Sequence, residues 1–375
     1  MKPLNQWSDV FVCPETKRPL RLCTLDEAER EASVRFRSRT LTSRGVEGVS
    51  VKVQADHHVL LRDDLRSAYP LVNTVPVLLV PEMLCPAQQP RVFDLGDPRY
   101  AEAYQEMDHY NRVSTQQSLD IKSSESFRII EPLLKTPSAN LASFPKPCAL
   151  WADAAYDCAA QVEAYAHIAP LRGKRVLQLG GMGIHAVKFL LAGAEQAWVV
   201  SPMLGEMRCA LALAQAAGVV ERLRCAVCIA EELPFHDQYF DAVYSGGCVH
   251  HMVTPLAFPE MARVLRSGGR FAAVDPWKTP LHSVGTRIFG KREANVYCRP
   301  LTEKRIEPLK TSFAEHGILH HGALFRYPLL ALNKLGLRIT PSLGWYVSRL
   351  DDSISSCIPK FRRRFGGSTA LLATK

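Results

Sequence analysis

The run Lys174-Arg-Val-Leu-Gln-Leu179, followed by Gly180-Gly-Met-Gly183 and a helical stretch from His185 to Ala194, decides the fold of this chain. An apolar strand delivers the backbone into a glycine turn, where the missing Cβ atoms let the chain bend sharply and approach a ligand. A glycine turn alone is weak evidence, but here further strands follow in order. Ala197-Trp-Val-Val200 reads as a second strand, and Cys225-Ala-Val-Cys228 lies in a third. Glu232-Leu-Pro-Phe-His-Asp-Gln-Tyr-Phe-Asp-Ala-Val-Tyr-Ser245 leads into a fourth. Arg263-Val-Leu-Arg-Ser-Gly-Gly-Arg-Phe-Ala-Ala-Val-Asp275 reads as a helix end, a glycine turn and a fifth strand, and Ser368 to Thr374 as a terminal one. Strands alternating with helical segments imply an α/β sheet with helices on both faces.

Two further blocks sharpen this: Ala230-Glu-Glu-Leu-Pro-Phe235 with Phe240-Asp241, and Glu260-Met-Ala-Arg-Val-Leu-Arg-Ser-Gly-Gly269. With the glycine turn upstream, residues 151 to 277 and the terminal strand resemble the class I S-adenosylmethionine (SAM)-dependent methyltransferases, especially the branch of quinone and small-molecule methyltransferases. The resemblance implies a Rossmann-like seven-stranded sheet and SAM as cofactor. It also implies cofactor-binding positions at Gln178, Gly180, Gly181, Gly183, Ser201, Met203, Ala230, Glu231, Ser245 and Gly246. Three positions depart from the family pattern. Gln178 stands where an acidic residue usually precedes the glycine turn. Val200-Ser201-Pro202-Met203 replaces the strand end whose carboxylate grips the ribose hydroxyls, and Ile229 stands where an aspartate usually meets the adenine amino group. A carboxylate is the stronger, charge-assisted acceptor, whereas Ser201 and Gln178 supply neutral bonds. Glu206 is expected on the solvated face of the second helix, with a turn back to the ribose as the alternative.

At 375 residues, 47% of them hydrophobic, the chain has room for two or three domains and is not a disordered protein. It has no apolar run of about 18 residues, and Met1-Lys-Pro-Leu-Asn-Gln-Trp lacks the core of a signal peptide, so a cytoplasmic protein is expected. The eleven cysteines are scattered and odd in number, which favours free thiols; the Cys225/Cys228 pair reads as core. The net charge of +9 is localised: residues 276–365 hold 16 Lys+Arg and 6 Asp+Glu, a balance of +10. Such clustering sets a local field that steers ligands, against a background reading of solvated surface.

Three segments are expected: a small domain at 1–83, a connector at 84–150 and the methyltransferase domain at 151–375, with 276–365 as a basic insertion. Phe11-Val-Cys-Pro-Glu-Thr-Lys-Arg-Pro-Leu20 and Ala68-Tyr-Pro-Leu-Val-Asn-Thr-Val-Pro-Val-Leu-Leu-Val80 resemble the two ends of the activator-subunit domain of tRNA and protein methyltransferases. This implies a β-rich α+β unit. Zinc-bearing members carry two Cys-x-x-Cys pairs, but here Cys13 is followed by Thr16 and Cys23 has no near partner, so no zinc is expected. Between those ends the pattern predicts a helix at Leu25–Ala32 and a hairpin at Val51–Leu61. In the connector, Tyr100–Arg112 has helical character, and its Tyr104, His109 and Tyr110 are candidates to cap an acceptor pocket. Pro137–Pro147 reads as a loop and Trp151–Ile168 as an amphipathic helix.

Methyl transfer from a sulfonium is an in-line displacement, needing an aligned nucleophile and a base only where that nucleophile is protonated. Ligands in this fold sit beyond the carboxyl ends of the strands, which directs attention to Ser245-Gly-Gly-Cys-Val-His-His-Met252. His250 and His251 are the candidate bases, one of them alternatively packing within the following helix. His185 reads as a helix-face residue. Trp277, with Arg287 and Arg292 from the basic insertion, are candidate acceptor contacts, as are Lys291 and Arg299. The leading reading is methylation of a small anionic metabolite. The alternatives are an rRNA or tRNA methyltransferase and a non-catalytic scaffold on a degenerate fold. Oligomeric state stays open, a homodimer included.

Overall fold

In a computed structural model, residues 10–32, 40–41, 53–54, 56–65, 67–78, 101–141, 148–280, 282, 300–337 and 339–375 are described. The N-terminal unit contributes β1 (Leu20–Thr24), α1 (Leu25–Ala32), two-residue strands β2 (Thr40–Leu41) and β3 (Val53–Gln54), β4 (His58–Arg62), β5 (Ala68–Val72) and β6 (Val75–Pro76). Helices α2 (Ala101–Leu119) and α3 (Glu125–Leu134) follow, then α4 (Cys158–Ile168). The α/β core alternates β7 (Arg175–Leu179), α5 (Ile184–Leu191), β8 (Gln196–Ser201), α6 (Leu204–Ala216), β9 (Leu223–Val227), β10 (Phe240–Gly246), α7 (Thr254–Val264) and β11 (Leu265–Pro276). The C-terminal part adds α8 (Glu303–Ser312), β12 (Glu315–His321), α9 (Arg326–Lys334), α10 (Pro341–Ser356), α11 (Pro359–Phe365) and β13 (Ser368–Thr374).

The seven-stranded sheet has the order β12-β13-β11-β10-β7-β8-β9. The four pairings from β9 to β11 are all parallel, while β13 runs antiparallel between β11 and β12. The strand order reverses beside β7, opening a crevice at the carboxyl ends of β7 and β10. Strands covered on both faces read as largely apolar runs: β8 carries Ala197-Trp-Val-Val200 unbroken, while Gln178 interrupts β7 and Asp241 interrupts β10. Alternate residues feed two cores. Val176, Val199 and Tyr244 face α4, α5 and α6, whereas Leu177, Trp198 and Val243 face α7 and α8.

The second core is completed by the N-terminal unit. Phe11 is fully buried against Trp198 and Phe235, with ring centroids 5.3 and 5.6 Å away. The Val12 amide donates to the Pro234 carbonyl at 3.0 Å, and Lys17 pairs with Glu260 at 2.6 Å. Val77 lies parallel to Val227 at the sheet edge, where the Leu78 amide donates to the Val227 carbonyl.

Some expectations change. β4 pairs with β1 and β5 and β3 with β2, so the described residues of 51–61 show no pairing of β3 with β4 as the hairpin expected there would need. The helix anticipated over 151–168 is broken into a turn at Cys148–Trp151, a short 3-10 segment at Ala155–Asp157, and α4. The break presents Asp153 to the buried Lys188 and to Gln161, whose Nε2 donates to it at 2.7 Å. The region 276–365 is only partly an insertion, because it contains β12 of the sheet. Cys225 and Cys228 are buried in the core. Among the described residues, no helix is long and apolar enough to cross a membrane.

Candidate active site

A cavity of about 440 Å³ opens at the carboxyl ends of β7, β8 and β10. It is lined by Gln178, Gly180, Gly181, Ser201, Met203, Ala230, Glu231 and Gly246 from the cofactor positions read in the sequence. Gly183 and Ser245 do not line it. Gly183 caps α5 at φ 81°, and a Cβ there would come within 2.9 Å of Ala210 Cα, so its role is close helix packing. Ser245 is buried inside β10.

Gln178 explains its own departure from an acidic residue. Its Nε2 donates to the Gly180 carbonyl at 2.7 Å and its Oε1 accepts from the Ala186 amide at 2.7 Å. An amide bonds both groups; an ionised carboxylate has no proton for the carbonyl. Gln178 therefore braces the glycine turn onto α5.

The carboxylate absent from the end of β8 arrives from the first turn of α6. Glu206 is buried at the cavity wall, where it accepts from the Gly181 amide at 3.0 Å and is bonded by the Ser201 side chain. Burial raises its pKa above the usual carboxyl value, with those two bonds opposing the rise. The expected solvated position is thus overturned. The Asn111 side chain of α2 accepts from the Gly205 amide at 2.7 Å, which fixes the start of α6 beside the cavity. Glu231 also lines the cavity, but one oxygen accepts from the Val253 amide at 2.7 Å.

The two candidate bases separate. His251 lines the cavity; His250 does not. The His250 Nδ1 lies 2.8 Å from Asp275 Oδ1, which also accepts the His250 backbone N–H at 3.0 Å. The imidazoles face each other with centroids 4.0 Å apart. His250 is therefore held behind His251. Trp277 is also displaced from the site: it packs edge-on against His320 at 4.7 Å, next to the terminal strand.

His185 joins the cavity wall instead of an outer helix face. Its Nδ1 meets the Tyr165 hydroxyl at 2.6 Å and Asp153 at 3.5 Å. Burial pushes its pKa down to about 4 despite Asp153. A Cβ on Gly246 would press on this ring, so that glycine makes room for it.

Of the capping candidates, Tyr110 lines the cavity and His109 is exposed, while Tyr104 lies on α2 with its side chain outside the described residues. Arg287, Lys291, Arg292 and Arg299 also lie outside them. Gln117, Glu125, Ser126, Ile129 and Met182 complete the mouth. Sequence reading missed the α3 contribution because Glu125 to Ile129 carry no motif. The charged residues lining the cavity among those described are Glu125, Glu206 and Glu231. The described residues include no group of three or more His, Cys, Asp or Glu placed to hold a metal. A second groove, of about 570 Å³, lies at the β12 edge, and its Arg362 and Arg363 pair with Asp352 and Glu303.

Residues 177–273 match the family described as "Methyltransferase domain", so this part of the chain is a methyltransferase domain. Two curated relatives are tRNA U34 carboxymethyltransferases. That of Syntrophotalea carbinolica is 31% identical over 105 residues, 28% of this chain and 32% of the relative. That of Methylococcus capsulatus is 37% identical over 106 residues, 27% of this chain and 32% of the relative. The matches thus span about a third of those relatives' length. Similar solved structures include a geranyl diphosphate C-methyltransferase from Streptomyces coelicolor, at 13% identity over 58% of this chain and 81% of that one, with a TM-score of 0.42. Another is a phosphoethanolamine N-methyltransferase from Haemonchus contortus, at 18% identity over 56% and 51%, with a TM-score of 0.39.

Proposed function

We propose that the chain transfers a methyl group from SAM to a small-molecule acceptor in the cavity beyond β7, β8 and β10. The observation that carries this is Glu206, which returns a carboxylate to the cavity wall beside the glycine turn. The methyltransferase-domain match over residues 177–273 supports the same reading.

The residues present fit the cofactor. Gly180 and Gly181, at φ 72° and 77°, keep the turn open to a close ligand. The Glu206 carboxylate and Ser201 hydroxyl would hold the ribose hydroxyls, replacing the strand-end acid. Ile229 and Ala230 would flank the adenine, with Glu231 close by. SAM would supply an electrophilic methyl group on sulfonium. His251, on the wall, would take a proton from a protonated acceptor, and His250 with Asp275 would fix its position. Tyr110 and α3 would shape the mouth and limit water access.

Two observations bear on the acceptor. The +10 balance of residues 276–365 supports an anion, whereas the carboxylates of the described lining favour a neutral or cationic molecule. RNA is the second reading, favoured by the identity to tRNA U34 carboxymethyltransferases. Incubation of the full chain with methyl-labelled SAM and either a small-metabolite fraction or total RNA separates these. Label in small molecules supports the first reading, and label in RNA replaces it with the second. Absence of both label and binding of S-adenosylhomocysteine (SAH) overturns both.

A further inference from the structure

Helix α10 seats Trp345 on Ala152, Cys158 and Val162, yet otherwise buries polar side chains and exposes apolar ones. Its buried face carries Ser348, Asp351, Asp352 and Ser355, each at most 8% exposed. Its outer face carries Leu343, Tyr346, Leu350 and Ile354, exposed by 51, 71, 53 and 47%, and Ile358 follows at 60%. Intervals of three and four residues place the helical members on one narrow stripe.

Specific bonds set this orientation. Asp351 accepts from the amides of Ala323, Leu324 and Phe325 at 3.0, 2.9 and 2.7 Å, at the start of α9. Asp352 lies 2.8 Å from His321 Nδ1 and 3.3 Å from Arg362. Rotating the stripe inward would break these contacts and leave buried carboxylates unpaired. On the far side, a Cβ at Gly344 would come within 2.6 Å of Ala155 Cα, so the helix is also seated closely on its support. The apolar stripe is therefore held toward solvent.

Its surroundings identify the partner. Arg349, Lys360 and Arg364 are exposed along or just beyond the stripe, as is Arg363, which pairs with Glu303. Both acidic residues of 341–365 point inward. A contiguous apolar strip of this kind marks an interaction site, and a basic rim suits an anionic surface. A twofold contact with a second copy would set this rim against itself, which is unfavourable. We propose that α10 and α11 form a docking face for an anionic lipid surface. The Leu, Tyr and Ile side chains would enter the headgroup–acyl boundary, while the cations remain among the lipid headgroups.

Co-sedimentation of the full chain with phosphatidylcholine vesicles, with and without phosphatidylglycerol, tests this directly. The expected result is binding at least ~10-fold stronger to the anionic vesicles and weakened by salt. It should be lost in Leu350→Ser/Ile354→Ser and in Lys360→Glu/Arg364→Glu, with thermal unfolding of both variants close to that of the parent chain. Absence of phosphatidylglycerol-dependent binding, or its persistence in both variants, overturns the proposal. So does light scattering that shows a dimer dissolved by the Leu350→Ser/Ile354→Ser change without vesicle binding.

Discussion

At the scale of single residues, the informative substitutions are those that depart from the family pattern. Gln178 was legible as unusual, but its reason lies in two backbone groups, the Gly180 carbonyl and the Ala186 amide, which only the folded turn brings together. Gln178→Glu should remove the donor and set a carboxylate against a carbonyl, costing about 1–3 kcal/mol in a urea-unfolding measurement. Glu206 was visible in the sequence and read toward solvent, because helical spacing does not reveal that the Gly181 amide faces that position. The histidines show the same limit. Sequence placed His250 and His251 near the strand end, and three-dimensional contacts separate them through Asp275. His251→Gln should lower methyl transfer about 100-fold or more with SAH affinity retained, if proton removal accompanies transfer. Unchanged turnover in that variant would remove His251 from the chemistry.

At the scale of elements, the parallel strands were legible because their apolar runs and glycine turns are local signals. Val51–Leu61 misled because an alternating pattern does not identify the strand it pairs with; β4 finds β1 and β5. The break between residues 151 and 158 was hidden because it serves a distant partner, Lys188, whose buried ammonium reaches Asp153 and the Trp151 carbonyl. The core that the N-terminal strands share with the sheet was not legible, because it joins residues far apart in sequence. Phe11 sits wholly inside that core, so Phe11→Ala should cost ~3–5 kcal/mol. Circular dichroism and tryptophan fluorescence should report one coincident unfolding transition. Separate transitions for the N-terminal unit and the sheet would contradict the shared core.

At the scale of the whole molecule, pH ties stability to buried imidazoles. Burial lowers the pKa values of His185 and His320 to about 4 in the folded state. Their unfolded forms take up protons nearer pH 6.5, so unfolding binds protons between those values. Stability from these groups is therefore full above pH 6.5 and is lost as pH falls toward 4. The loss should be on the order of 1–3 kcal/mol per histidine, measured by urea unfolding at pH 7.5 and 5, and smaller in His320→Gln. The sequence located the cavity through its glycine turn and strand ends, but not the way its wall is completed by α3 and Glu206. That wall is the basis for assigning SAM to the cavity. Isothermal titration of the purified full chain with SAH, beside its Glu206→Gln variant, tests the assignment most directly. Saturable one-site binding by the parent chain is expected, with affinity reduced about 10-fold or more in the variant. Absence of binding by the folded parent chain, or equal affinity in the two proteins, would contradict it.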